Sequence, residues 1–164
     1  MEKTNKLRFV IVFLTYVVLT YIVSMRTIAH SNISAGSNGN LIATIIATII
    51  SVIGLFLTSY VFKVLLQVVT RFVFKDNSRI PYMELVTAYG FIQVVNAIIN
   101  LFSLWIIGKP YNQVNVILAI VLSVVISILF GVVIKNSNQI KVKNSVVAFI
   151  VLVNMILLVI PIFK

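Results

Sequence analysis

Glu84 is the one carboxylate inside an apolar stretch of this 164-residue chain, and Gln93, Asn96, Asn100 and Ser103 follow it at helical spacing. At about 100° per residue those four fall within an arc of about 80°, Tyr89 extends the same face, and Glu84 lies on the opposite side. Amides and hydroxyls on such a face can hydrogen-bond to neighbouring helices or line a polar path, but they do not exchange protons near neutral pH. General acid–base chemistry needs a titratable side chain aimed at a second one or at a reacting group. The other acids are Glu2 and Asp76, the single histidine is His30, and there is no cysteine. Thiolate nucleophiles and Cys-based metal sites are therefore excluded. No Ser/His/Asp set, His/Asp/Glu metal spacing or Gly-rich phosphate loop occurs either. The expectation is a non-enzymatic chain with no catalytic residue, cofactor or metal, in which Glu84 sits at an interface near Arg79 or Lys75. Proton coupling through Glu84 is the competing reading.

The amide face has two readings. As interhelical glue, with Asn154 of the last apolar run as partner, each bond would be worth roughly 0.6–2 kcal/mol. As a substrate pathway it would line a polar route, although uncharged amides point there less strongly than ionisable groups do. A second pattern is steric. Ala119, Ser123, Ser127 and Gly131 recur every four residues, and Ala43, Ala47, Ser51 and Gly54 draw a similar line earlier in the chain. Small side chains let helix backbones approach closely in lipid, so both stripes read as packing seams inside one chain, with homodimerisation as the alternative.

The elements that carry these residues follow from hydropathy. Apolar residues make up 61% of the chain and charged ones 10%, far from the balance of soluble domains. Five apolar runs cover 9–25, 41–62, 80–107, 114–134 and 146–163, each about as long as the roughly 20 helical residues that cross a ~30 Å hydrocarbon core. In lipid such segments satisfy their backbone groups only as helices. The predicted fold is a single all-α domain, a polytopic integral membrane protein built as a bundle of five transmembrane helices.

The net charge of +10 fits nucleic acid less well than it fits topology. Ten of the thirteen Lys and Arg residues fall on one set of loops: Lys3, Lys6 and Arg8 before the first run, Lys63, Arg71, Lys75 and Arg79 after the second, and Lys135, Lys141 and Lys143 after the fourth. Arg26, Lys109 and Lys164 fall on the other set. The positive-inside rule then places the N-terminus in the cytoplasm and the C-terminus outside. Lys63, Arg71, Lys75 and Arg79 would lie against the anionic inner leaflet of the lipid bilayer.

Residues 27–40 are rich in Gly, Ser and Asn and read as a polar outside loop; Asn32-Ile33-Ser34 within it matches a glycosylation sequon by composition alone. The first run has the basic lead of a signal peptide, but no soluble domain follows it, so it reads as an anchor. The second run continues as a broken apolar pattern to residue 74, a helix of about 50 Å, so its last turns are expected to project into the cytoplasm or to bend onto the inner surface. Pro81 suits the start of the third helix and Pro110 the turn after it, while no proline interrupts a run at mid-depth. Many Lys, Ile and Asn residues with no Cys give the chain a bacterial look.

The five runs, the basic N-terminus and the stretch Tyr82-Met83-Glu84-Leu85-Val86-Thr87-Ala88-Tyr89-Gly90-Phe91 together resemble bacterial members of the Ypt-interacting-protein (Yip) family. In that family a loop after a long second span leads into a motif in which Glu84, Leu85 and Gly90 would match, with Tyr89 and Gly90 in reversed order. Lys75-Asp76-Asn77-Ser78 stands where the family has a Gly-rich loop, and Phe91-Ile92-Gln93 where a proline usually follows. The resemblance implies a membrane scaffold, since eukaryotic relatives bind small GTPases and shape or sort membranes, and it transfers no site. The expected function is therefore a scaffold or accessory protein of the bacterial cytoplasmic membrane. The alternatives are a membrane partner of another protein or ATPase subunit in an export system, or an immunity protein against a membrane-active peptide.

Overall fold

The computed structural model describes residues 2–30, 36–73, 75, 81–137, 140 and 142–163. All their regular structure is helical: α1 Glu2–His30, α2 Gly36–Phe72, α3 Tyr82–Ile107, the single turn α4 Tyr111–Val114, α5 Val116–Lys135 and α6 Asn144–Val159, which continues as a 3₁₀ turn, Ile160–Phe163. Four of these, α1, α2, α3 and α5, are long and apolar enough to cross a membrane. Arg79, Lys141, Lys164 and the sequon Asn32-Ile33-Ser34 lie outside the described residues.

Local chemistry fixes the helix ends. The Pro81 carbonyl accepts from Leu85 N–H at 3.2 Å, opening α3, and the helix closes where Gly108 turns left-handed (φ 75°) and returns its N–H to the Leu104 carbonyl at 3.1 Å. Glycine meets no steric penalty in that conformation. The expected fourth span from 114 is corrected by Asn115. Its Oδ1 accepts from Ile117 N–H at 2.8 Å and Leu118 N–H at 3.4 Å, so α5 starts at Val116 and residues 111–114 form a separate turn. That is ordinary Asn capping.

One further expectation changes. The 27–40 loop shrinks from both sides, because Thr27–His30 finish α1 and Gly36–Asn40 begin α2. Thr27, Asn38 and Asn40 lie in turns of those helices, and the Asn40 carboxamide oxygen is buried. Of the two courses expected for the extension beyond residue 62, the straight one is seen. α2 runs unbroken to Phe72, with Leu66 and Thr70 buried, and Leu66 shares a core cluster with Ile134, Ile140 and Val146. Among the described residues there, Leu66 and Thr70 alone turn inward to the α5–α6 connection, while Val64, Leu65, Val68, Phe72 and Val73 stay exposed.

The helices associate as two groups. α1 packs along α3 and α2, α6 packs along α5, and α3–α5 and α2–α6 contacts join the groups. At the joint, Phe62 of α2, Tyr89 of α3 and Phe130 of α5 form a triangle of buried rings with centroids 5.5–5.6 Å apart. Edge-on and tilted arrangements of this kind suit the ring quadrupoles. α1 is the most peripheral: 6% of its apolar window is buried, against 39% for α5. It is still built into the bundle. Tyr16 Oη donates to the Ser51 carbonyl at 3.1 Å, Phe13 meets Phe56, and Val12 closes on Gly90.

Candidate functional site

The interior polar groups divide into three sets, each positioned by a different helix face. The first is the amide face of α3. Gln93, Asn96, Asn100 and Ser103 are all half-buried. Asn96 Nδ2 reaches Gln93 Oε1 at a long 3.5 Å, Asn100 Nδ2 donates to the Asn96 carbonyl at 3.2 Å, and Ser103 Oγ donates to the Lys109 carbonyl at 2.7 Å. These bonds run along α3 or to its own C-terminal turn. The Asn96 carboxamide oxygen is buried and finds no hydrogen-bond partner among the described residues.

Asn154 does not join that face. It is 1% exposed on α6, and its Nδ2 donates to Ser127 Oγ of α5 at 3.1 Å, while Ser127 Oγ donates to the Ser123 carbonyl at 2.8 Å. The expected link to the α3 amides is not formed among the described residues, because α6 packs chiefly on α5 and places Asn154 against Ser127. Asn154 therefore belongs to the second set, the small-residue stripe. Ala119, Ser123, Ser127 and Gly131 are all buried, and a Cβ on Gly131 would collide with the Val151 side chain and press on Val147. The seam is filled by α6 of the same chain. The Ser123 hydroxyl oxygen is buried with no hydrogen-bond partner among the described residues, and burial pushes the Tyr111 phenol above its usual range, with Ser123 opposing.

The third set was not legible as a seam. On α2 the expected line Ala43, Ala47, Ser51, Gly54 is exposed at Ala43 and half-buried beyond it, and a Cβ on Gly54 would meet nothing within 4 Å. The buried line is Thr44, Thr48, Leu55, Ser59, Phe62, Leu66 and Thr70. Each of its hydroxyls donates to the carbonyl four residues back: Thr44 to Asn40, Thr48 to Thr44, Ser59 to Leu55 and Thr70 to Leu66, at 2.6–2.8 Å. A hydroxyl satisfied within its own helix can be buried without any tertiary partner. The signal was present in the sequence as Thr and Ser at helical spacing, and it was hidden by the smaller alanines beside them.

At the helix ends, Glu84 is half-buried and accepts from Ser137 Oγ at 3.3 Å, tying the start of α3 to the residues after α5. Of the two neighbours expected for Glu84, Arg79 lies outside the described residues and Lys75 is exposed. Lys63 places its ammonium 5.7 Å from the Tyr82 ring centre, a cation–π contact, while Arg71 and Lys75 are exposed. Among the described residues no three His, Cys, Asp or Glu side chains come together as metal ligands. No protein-family model, curated protein or solved structure matches this chain.

Proposed function

We propose that this chain is a non-enzymatic integral membrane scaffold or accessory protein of a bacterial cytoplasmic membrane, crossing five times with its N-terminus inside and its C-terminus outside. One observation carries the reading: the interior hydroxyls and amides are mostly satisfied within their own helix, with Asn154–Ser127 and Tyr16–Ser51 bonding between helices, while the outward faces are apolar. Trp105 and Ile106 of α3 are 78% and 77% exposed, and the exposed faces of α1, α2 and α5 are lined with Ile, Val and Leu. Lipid is the solvent such a surface suits, whereas in water an apolar patch of that extent would associate.

The fifth crossing is α6 with its 3₁₀ turn, whose 16 and 4 residues together reach roughly 30 Å. Lys6, Arg8, Arg71, Lys75, Lys135 and Lys143 gather at the end where α1, α3 and α6 begin and where α2 and α5 finish, and Arg26 and Lys109 lie at the other. The charge rule makes the first end cytoplasmic. The Yip-like resemblance agrees with this five-span topology. Contacts with anionic lipid and with another membrane protein are then the means of action.

The cysteine-free chain allows a direct test. With Asn112→Cys and Asn136→Cys made singly, a membrane-impermeant thiol reagent added outside intact cells should label the first and spare the second. The opposite pattern overturns the orientation, and labelling of both or neither overturns the crossing by α5. Purification from native membranes in mild detergent should then bring down a membrane protein; recovery of the chain with lipid only would remove the scaffold role.

A transport or export component, or an immunity protein, is the second reading. It is favoured by the buried, unpartnered Asn96 oxygen on the α3 amide face. Asn96→Leu separates the two. Under the scaffold reading, loss of any cellular phenotype follows protein abundance and melting temperature; under the transport reading, the phenotype disappears while both stay at wild-type values.

A further inference from the structure

We infer that the cleft between the C-terminal ends of α1 and α3 is a binding site for the phosphodiester headgroup of an anionic amphiphile, held by Arg26 and His30 and flanked by Trp105. The inference rests on the membrane reading above and adds a ligand to it. The cleft has a volume of about 230 Å³ and is lined by Arg26, His30, Leu101, Leu104, Trp105 and Gly108. Its two walls are single helix faces. Arg26 and His30 are four residues apart on α1, and Leu101, Leu104, Trp105 and Gly108 follow the three-and-four spacing of one side of α3.

The chemistry of the walls is complementary to an amphiphilic anion. A guanidinium offers paired N–H groups to phosphate oxygens, and an imidazole N–H adds a second donor. Leu101 and Leu104 give an apolar floor for the start of an acyl chain. Trp105 is largely exposed, with a ring that is apolar over most of its area and a polar N–H, the combination found where headgroups meet hydrocarbon. No described carboxylate lines the cleft: Glu84 lies in the first turn of α3, a helix length away. Favourable placement of cations near helix C-termini would account for Arg26 and His30 alone. It would not account for a concave site that combines them with an exposed tryptophan and a leucine floor.

Trp105 is the only tryptophan of the chain, so the site carries its own reporter. The full chain is placed in bilayers of phosphatidylcholine that contain increasing fractions of either brominated phosphatidylglycerol or brominated phosphatidylcholine, and Trp105 emission is followed. The brominated anionic lipid should quench at about fivefold lower mole fraction, the advantage expected of one cationic group beside an anionic lipid. Arg26→Gln should bring the two curves together, with the melting temperature checked against wild type. Lys109→Gln, which removes a charge at the same end outside the cleft, should leave the preference intact. Equal quenching by the two lipids in the wild type, or equal loss of preference in Arg26→Gln and Lys109→Gln, overturns the site. Absence of quenching by either lipid overturns the membrane placement itself and the site with it. Glycerol phosphate added at millimolar concentration distinguishes the sources: relief of quenching assigns the cleft to a soluble phosphate ester, and unchanged quenching assigns it to the lipid headgroup.

Discussion

Two lines of small residues at helical spacing meet opposite fates. On α5, Ala119, Ser123, Ser127 and Gly131 are buried against α6, and Gly131 has no room for a side chain. On α2, the line from Ala43 to Gly54 turns half away from the bundle and ends on a glycine surrounded by open space. Spacing marks a face of a helix. Whether a neighbour closes on that face depends on what flanks it: α5 carries Val, Ile, Leu and Phe130 on its other sides, so the small stripe admits the closest approach, whereas α2 has a second line rich in Thr and Ser that is both compact and internally hydrogen-bonded.

The sharpest way to break this comparison is to enlarge both glycines. Gly131→Ile should force α5 and α6 apart and cost about 1–3 kcal/mol or more, seen as lost folded yield and a lowered melting temperature in detergent. Gly54→Ile should stay within about 0.5 kcal/mol of wild type, because nothing is displaced and isoleucine is a better helix former than glycine. Equal damage from both would show that the α2 line meets a partner, such as a second copy of the chain.

Much of the architecture was legible because lipid imposes simple rules. Long apolar runs had to be helices, and the runs that produced α1, α2, α3 and α5 are seen at about the expected places. What misled the reading was polar composition. Gly36 to Asn40 looked like loop yet form the first turns of α2, and the seam read at Ala43 and Ala47 is instead buried at Thr44 and Thr48. In both cases backbone hydrogen bonding within the helix outweighed side-chain polarity. The Asn115 cap could have been read from its position before an apolar run, and it fixes the start of α5. The link between Asn154 and Ser127, by contrast, depends on which helices are neighbours, and no periodicity within α6 encodes that. The cleft beside Trp105 is of the same kind, since α1 and α3 supply its walls from distant parts of the chain.

A smaller effect sharpens the contrast between bonds across helices and bonds within one. Asn154→Leu removes the only described hydrogen bond between side chains of α5 and α6, worth about 0.6–1.7 kcal/mol between spans. The same change also removes a buried carboxamide oxygen that has no partner, which offsets part of the loss. A net destabilisation of about 1 kcal/mol or less is expected by thermal unfolding in detergent, and Ser127→Ala should weaken the seam in the same direction. Stabilisation by Asn154→Leu would mean that the orphaned oxygen outweighs the bond, and would point to Asn154 being kept for a purpose other than packing.

The smallest effect is expected at Thr48. Its hydroxyl is buried and donates to the Thr44 carbonyl at 2.8 Å, but that carbonyl also belongs to the helix ladder and keeps a partner when the hydroxyl is gone. Thr48→Val keeps the shape, removes the donor and leaves no polar atom stranded, so the melting temperature should shift by no more than corresponds to about 0.5 kcal/mol. Thr48→Leu lengthens the side chain on a buried face and should cost about 1–3 kcal/mol by overpacking. If the hydroxyl matters only as a compact, self-satisfied group, valine is tolerated and leucine is not. Damage from valine equal to that from leucine would mean that Thr48 bonds across the interface, and the distinction drawn between the α2 line and the α5 seam would fall.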